Sequence, residues 1–158
     1  MSTIRSLLLL LAVTAAALPA QAYCINNLLS DRNVRVVQDP HTDRLREDRT
    51  IDWNLKPGER RCCSGRNLDC NPSGRRESIV RLAITIAGEP GYQCGTAEGN
   101  ETRVKVTGGG LVRIMDNPRH TPGGSPYVVR VRTHDKDITG PRGLQCPEIK
   151  NPPAKGKP

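Results

Sequence analysis

Apolar and polar residues alternate with a period of two along much of the chain. Val80, Leu82, Ile84 and Ile86 alternate with Arg81, Ala83, Thr85 and Ala87, the pattern of a strand with one face buried. Shorter runs read the same way. Val34 and Val36 flank Arg35; Ile51, Trp53 and Leu55 alternate with Asp52 and Asn54. Val104 and Val106 flank Lys105, Val112 and Ile114 flank Arg113, and Tyr127, Val129 and Val131 alternate with Val128, Arg130 and Arg132. Turn composition separates these runs at residues 88–91, 98–100, 108–110 and 122–126. Residues 44–49 allow one helical turn, and no amphipathic stretch is long enough for a substantial helix. The pattern predicts an all-β fold, a small disulfide-stapled β-sandwich of jelly-roll or Greek-key type with little helix. The glycine run 108–110 lacks the lysine and following helix of a phosphate loop, so it predicts a hairpin turn.

The N-terminus reads differently. Arg5 is followed by an apolar run over residues 7–17, then Pro19 and the small-x-small triplet Ala20-Gln21-Ala22. These are the parts of a signal peptide over residues 1–22, with cleavage before Tyr23. The run is too short for a bilayer span, and no later stretch is apolar enough to be one. The expected product is secreted and extracellular, without stable membrane insertion. It carries a single sandwich domain over residues 23–149 and a disordered tail over 150–158, where Pro, Lys and Gly dominate.

Export changes the meaning of the cysteines. Cys24, Cys62, Cys63, Cys70, Cys94 and Cys146 form an even set, and in an oxidising compartment they read as three disulfides. Neither a CxxC pair nor a histidine at ligand spacing accompanies them, so no metal or other cofactor is expected. Adjacent residues reach disulfide geometry only with strain, which removes the pairings joining Cys62 to Cys63 and leaves the others open. In an extended segment these two point to opposite faces. One would close the short loop to Cys70 while the other reaches across the sandwich. Cys24 and Cys146 flank the domain and would clasp its ends. The whole stretch 55–72, bounded by Pro57-Gly58 and by Asn71 to Gly74, reads as a loop stapled to a sheet edge. Aromatic residues make up 3% of the chain, with no Phe, so its core is poor in large side chains and the disulfides matter to stability.

Charge narrows the function. The formal net charge is +8, and the leader removes only the Arg5 cation. Arg35, Arg81, Lys105, Arg113, Arg130 and Arg132 hold the polar parity of their strands. If those strands share a sheet, they form a polyanion-binding face; otherwise they are solvated cations that discourage edge pairing. The expected partner is an unknown protein or an acidic polysaccharide, with nucleic acid the less favoured polyanion, and the protein is expected to be a monomer. A neutral-carbohydrate module would have Trp53 and Tyr127 as its platforms.

Catalysis finds little support in the sequence. Of His41, His120 and His134, only His134, beside Asp135 and near Arg130 and Arg132, makes a grouping suited to phosphate chemistry. No Gly-x-Ser-x-Gly elbow is present, and the acidic residues from Asp39 to Asp52 fit no calcium loop. No catalytic residue and no metal ligand is assigned. Asn100-Glu101-Thr102 is a usable glycosylation sequon at Asn100, whereas proline blocks the one at Asn71. The reading is a secreted, non-enzymatic binding or effector-like protein acting outside the producing cell. The alternative is a small extracellular hydrolase such as a basic ribonuclease.

Leader, six cysteines, small β-rich body and absent catalytic motif together resemble, in overall layout, the small secreted cysteine-rich proteins of filamentous fungi. That resemblance implies an effector-like or cell-surface-interacting role.

Overall fold

The computed structural model describes residues 21–39, 51–64, 67–71, 74–75, 77–95, 103–133 and 136–150. Among these residues there is no helix. Eleven strands follow in chain order: β1 (Gln21–Asn27), β2 (Val34–Gln38), β3 (Asp52–Leu55), β4 (Arg60–Ser64), β5 (Ile79–Ile86), β6 (Tyr92–Cys94), β7 (Val104–Thr107), β8 (Gly110–Asp116), β9 (Tyr127–Thr133), β10 (Lys136–Asp137) and β11 (Leu144–Gln145). The all-β expectation is met. Residues 1–20 of the expected signal peptide, the expected helical turn at 44–49, His41, Asn100, His134 and residues 151–158 of the expected tail lie outside the described residues.

Two sheets form. A six-stranded sheet runs β10-β9-β8-β1-β4 with β11 also beside β9; a five-stranded sheet runs β3-β2-β5-β6 with β7 also beside β5. β1 lies parallel to β8, and every other strand pair is antiparallel. The inner faces meet in one core. Tyr23, Ile25, Val112, Ile114, Val129 and Val131 come from the larger sheet, and Val34, Val36, Leu82, Ile84, Val104 and Val106 from the smaller. β5 follows its sequence parity: Val80, Leu82, Ile84 and Ile86 are buried while Ile79 and Arg81 are exposed.

Two features differ from the sequence reading. The Cys62-Cys63 segment is no loop: it lies in β4, paired with β1 at the edge of the larger sheet, and the stapled loop begins beyond it. The turn at Gly108-Gly109 joins β7 of one sheet to β8 of the other, so it is a corner between layers and not a hairpin within one. A Cβ on Gly110 would lie 2.5 Å from Val106 Cγ2 and 2.8 Å from the Thr107 carbonyl oxygen, closer than real Cβ contacts, so the corner needs glycine there. The regular register of β1 with β8 begins at Tyr23.

The cysteines form three disulfides and none is left over. Cys63–Cys70 closes the short loop, as one of the two adjacent cysteines was expected to do. The other, Cys62, joins Cys24 on the neighbouring strand of the same sheet and does not cross the sandwich. Cys146 bonds to Cys94, not to Cys24. This last bridge sits inside a backbone ladder that closes one flank of the sandwich. The amides of Gln93 and Gly95 donate to the carbonyls of Pro147 and Gln145, and Ile149 donates back to Gly91.

The opposite flank is pinned by a polar group. Asn27 sits on the core side of β1, fully buried. Its Nδ2 donates to the carbonyls of Arg32 (2.8 Å), Leu55 (3.2 Å) and Lys56 (3.0 Å), and its Oδ1 accepts from the Leu29 amide at 3.1 Å. One amide therefore ties β1 of the larger sheet to the end of β3 in the smaller. Between the flanks, Tyr23 Oη donates to Gln38 Oε1 at 3.3 Å, and burial pushes that phenol well above its ordinary pKa.

Asn27→Ala leaves several buried backbone groups without partners and should cost about 2–4 kcal/mol, read by urea unfolding of the oxidised protein. A loss below about 0.5 kcal/mol would contradict this role for Asn27. Chain entropy ranks the bridges by loop length. Opening Cys94–Cys146, with a sequence separation of 52, should cost about 4 kcal/mol, and opening Cys63–Cys70, with a separation of 7, about 2 kcal/mol. Double cysteine-to-serine variants measured side by side test that order, and equal or inverted losses would defeat it.

Candidate polyanion-binding face

The six cations expected on polar parity point outward, but on two different sheets. Arg35, Arg81 and Lys105 belong to β2, β5 and β7 of the smaller sheet; Arg113, Arg130 and Arg132 belong to β8 and β9 of the larger. They do not form one common face.

On the smaller sheet, Arg35 is neutralised. Its Nε and Nη2 donate to Asp52 Oδ1 and Oδ2 at 3.0 and 2.6 Å, a two-pronged pair between neighbouring strands. The hydrogen bond from Arg35 holds the Asp52 carboxyl below the usual carboxylate range. Arg81 and Lys105 stand directly opposite one another in register.

The larger sheet concentrates its cations. Arg113 on β8 is paired in register with Arg130 on β9 and, on its other side, with Asn26 on β1; Asn26 is paired in turn with Arg60 on β4. Arg60, Asn26, Arg113 and Arg130 thus form a row across four strands, spanning roughly 14 Å at a strand spacing of about 4.8 Å. The adjacent row holds Cys62, Cys24, Leu111, Arg132 and Asp137. A groove of about 290 Å³ opens here, lined by Leu111, Arg113, Arg130, Arg132 and Asp137.

Like charges directly opposite on neighbouring strands destabilise by several tenths of a kcal/mol, and among the described residues no carboxylate lies within ion-pair distance of Arg113, Arg130 or Arg132. One Arg130 Nη donates to the Pro141 carbonyl at 3.0 Å, which holds the chain in place without cancelling its charge. Among the described residues, Asp137 is the single carboxylate lining the groove. The Thr139 hydroxyl, the Thr139 amide and the Arg130 charge hold its carboxyl below the ordinary range, so it stays ionised at neutral pH. Nor does edge protection explain these arginines: β8 lies between β1 and β9, and β9 is flanked by β8 on one side and by β10 and β11 on the other.

Sequence reasoning missed Arg60. It precedes the two cysteines in a segment read as a loop, where no parity could be assigned; the signal was Arg60-Arg61-Cys62-Cys63 read as a strand. Asn26 was missed as well, and its Oδ1 is buried without a hydrogen-bond partner.

A second concavity of about 600 Å³ lies at the flank closed by the C-terminal segment, lined by Tyr92, His120, Ser125, Gln145, Glu148 and Lys150 among others. Behind it Tyr92 and Tyr127 meet edge to face at 4.9 Å, with the Arg32 guanidinium 5.9 and 5.8 Å from their centroids. The two aromatic platforms expected for a sugar are committed elsewhere: Tyr127 is 8% exposed and Trp53 packs against the core.

No protein-family model, curated protein or solved structure gives a significant match to this chain. The site is therefore defined by its geometry alone.

The two basic regions are separable by mutation. Arg113→Ser with Arg130→Ser should lower the salt concentration at which the protein leaves a sulfated-polysaccharide column, while Arg81→Ser should leave it nearly unchanged. Asp137→Asn keeps the acceptor for Thr139 and removes the groove's negative charge, so it should raise that concentration. Stronger dependence on Arg81 than on Arg113 and Arg130 would place recognition on the smaller sheet instead.

Proposed function

We propose that this chain is a secreted, non-enzymatic binding protein, effector-like in acting outside the producing cell, and that the outer face of its six-stranded sheet takes an acidic polysaccharide. The observation carrying this reading is the Arg113–Arg130 pair. Two arginines face each other in mid-sheet, with Arg132 and Arg60 beside them and, among the described residues, one carboxylate in the groove. An anionic ligand relieves their mutual repulsion and releases its own counterions on binding. Three disulfides are consistent with an extracellular protein, and the leader read over residues 1–22 supports export.

A polysaccharide suits the face better than single-stranded nucleic acid. Bases bind such grooves by stacking on aromatic rings, and the described residues lining this groove include no aromatic. Carboxylate or sulfate groups along a glycan need only cations at intervals, which a row of arginines across strands supplies.

Titration of the purified protein with a heparin-type oligosaccharide at several salt concentrations tests the proposal. Affinity should fall steeply with salt, and each of Arg113→Ser and Arg130→Ser should reduce the slope of log affinity against log salt by roughly one. Salt-independent binding, or none, would remove the reading. RNA cleavage that disappears in His134→Ala would replace it with the hydrolase alternative.

A further inference from the structure

The three disulfides are not equally placed. Cys63, Cys70, Cys94 and Cys146 are buried, with exposures of 2, 1, 0 and 0%, and Cys24 is 4% exposed. Cys62 alone is exposed. It lies on the outer face of β4, the edge strand of the larger sheet, and among the described residues no strand covers the far side of β4. Of the six cysteines, Cys62 is thus the one whose residue surface is open to solvent in the folded protein.

A second, independent observation concerns the sulfur behind it. An Arg60 Nη donates to Cys24 Sγ at 3.3 Å. Arg60 and Cys62 share one face of β4, so the guanidinium stands beside the sulfur that would depart if Cys62 were attacked. A cation next to a developing thiolate lowers the pKa of that thiol, and a thiol of lower pKa leaves faster.

We propose that Cys62 is a thiolation site for an acidic low-molecular-weight thiol. The thiolate attacks Cys62 Sγ, a new sulfur–sulfur bond forms there, and the Cys62–Cys24 bond breaks with its electron pair passing to Cys24 Sγ. Cys24 becomes a thiolate held by Arg60 and later takes a proton from water, leaving a mixed disulfide on Cys62. A second equivalent of thiol attacks the external sulfur of that mixed disulfide, releases the Cys62 thiolate and completes a two-electron reduction of the bridge at the expense of two thiols. The thiol is expected to be acidic because the attack occurs on the cationic face, where Arg60 and Arg113 flank Asn26 in the neighbouring row and raise the local concentration of anions. This inference rests on exposure and the Arg60 contact, and it stands whether or not a polysaccharide binds.

The experiment exposes the folded, fully oxidised protein to glutathione, quenches in acid, alkylates new thiols and maps the products by peptide mass spectrometry. Glutathione should appear on Cys62 and the alkyl group on Cys24, with Cys63–Cys70 and Cys94–Cys146 still closed. The initial rate should fall roughly threefold or more in Arg60→Gln, as expected when an adjacent cation no longer favours the leaving thiolate, and Arg60→Lys should restore most of it. Neutral 2-mercaptoethanol should open the same bridge and show the Arg60 dependence without the salt sensitivity of the glutathione reaction. Initial opening of either other bridge, glutathione on Cys24 in place of Cys62, or an unchanged rate in Arg60→Gln would overturn the proposal. The wild-type map decides the first two outcomes without any variant.

Discussion

Residues 144–149 belong to both sheets at once, and much of the architecture depends on that sharing. Leu144 and Gln145 pair with Val129 and Val128 of β9, the Cys146 amide reaches the Tyr127 carbonyl, and the following residues form a ladder with Gly91, Gln93 and Gly95 beside β6. A two-residue strand such as β11 has little stability of its own. The buried Cys94–Cys146 bridge in the middle of this ladder holds the segment against both layers. Part of the edge of each sheet is thereby covered, which removes template surface for pairing with other chains. β9 is locked between β8 on one side and β10 and β11 on the other. Arg130 and Arg132 consequently project from one of the better-braced strands of the molecule.

Bracing of this kind gives the arginine row its meaning. A long cation on a frayed edge strand can swing away from its neighbours, so its repulsion costs little. Arg113 and Arg130 are fixed in register on neighbouring strands about 4.8 Å apart, less than the screening length of about 8 Å at physiological salt. The smaller sheet offers the comparison. Arg35 has the same parity, yet Asp52 on the neighbouring strand meets it with both carboxylate oxygens. The same fold thus neutralises an arginine on one face and, among the described residues, leaves several without an acidic partner on the other. The asymmetry between faces points to recognition more than the net charge does, since net charge alone attracts every polyanion to the same degree.

Most of the strands were legible because burial on one face imposes alternation. β2, β3, β5, β7, β8 and β9 all carry it, and their buried positions are the ones the alternation selects, apart from Val128, which is buried on the outward parity of β9. The strands that escaped notice each lack that signal for a physical reason. β1 places Asn27 on its core side, where alternation calls for an apolar residue, and it begins inside the small-x-small triplet 20–22 that reads as a cleavage pattern. β4 is an edge strand that buries only Cys63, so it needs little apolar sequence. β10 and β11 are two residues long, too short for any period. Parity also identified Arg113, Arg130 and Arg132 as outward-facing, but parity is local. Which sheet a strand joins is decided by partners distant in sequence, such as the parallel pairing of β1 with β8, and that is why six cations of one parity divide between two faces.

β4 is where these threads meet. Along Arg60-Arg61-Cys62-Cys63 the side chains alternate, so Arg60 and Cys62 take the outer face while Arg61 and Cys63 take the core side. Cys63 is buried and staples the following loop through Cys70. Arg61, at the rim, is met by Glu59 at 2.7 Å. On the outer face Cys62 is bonded across to Cys24 and Arg60 lies against the Cys24 sulfur, in line with the arginines of β8 and β9. A core this poor in large aromatics needs covalent ties to hold an edge strand in register, and β4 receives two, one on each face. The outer tie is laid within the cationic row itself, so Arg60 keeps its place in that row through the disulfide beside it. The position of the basic face and the integrity of the Cys24–Cys62 bridge are therefore one structural fact, set by the period of two in a four-residue segment.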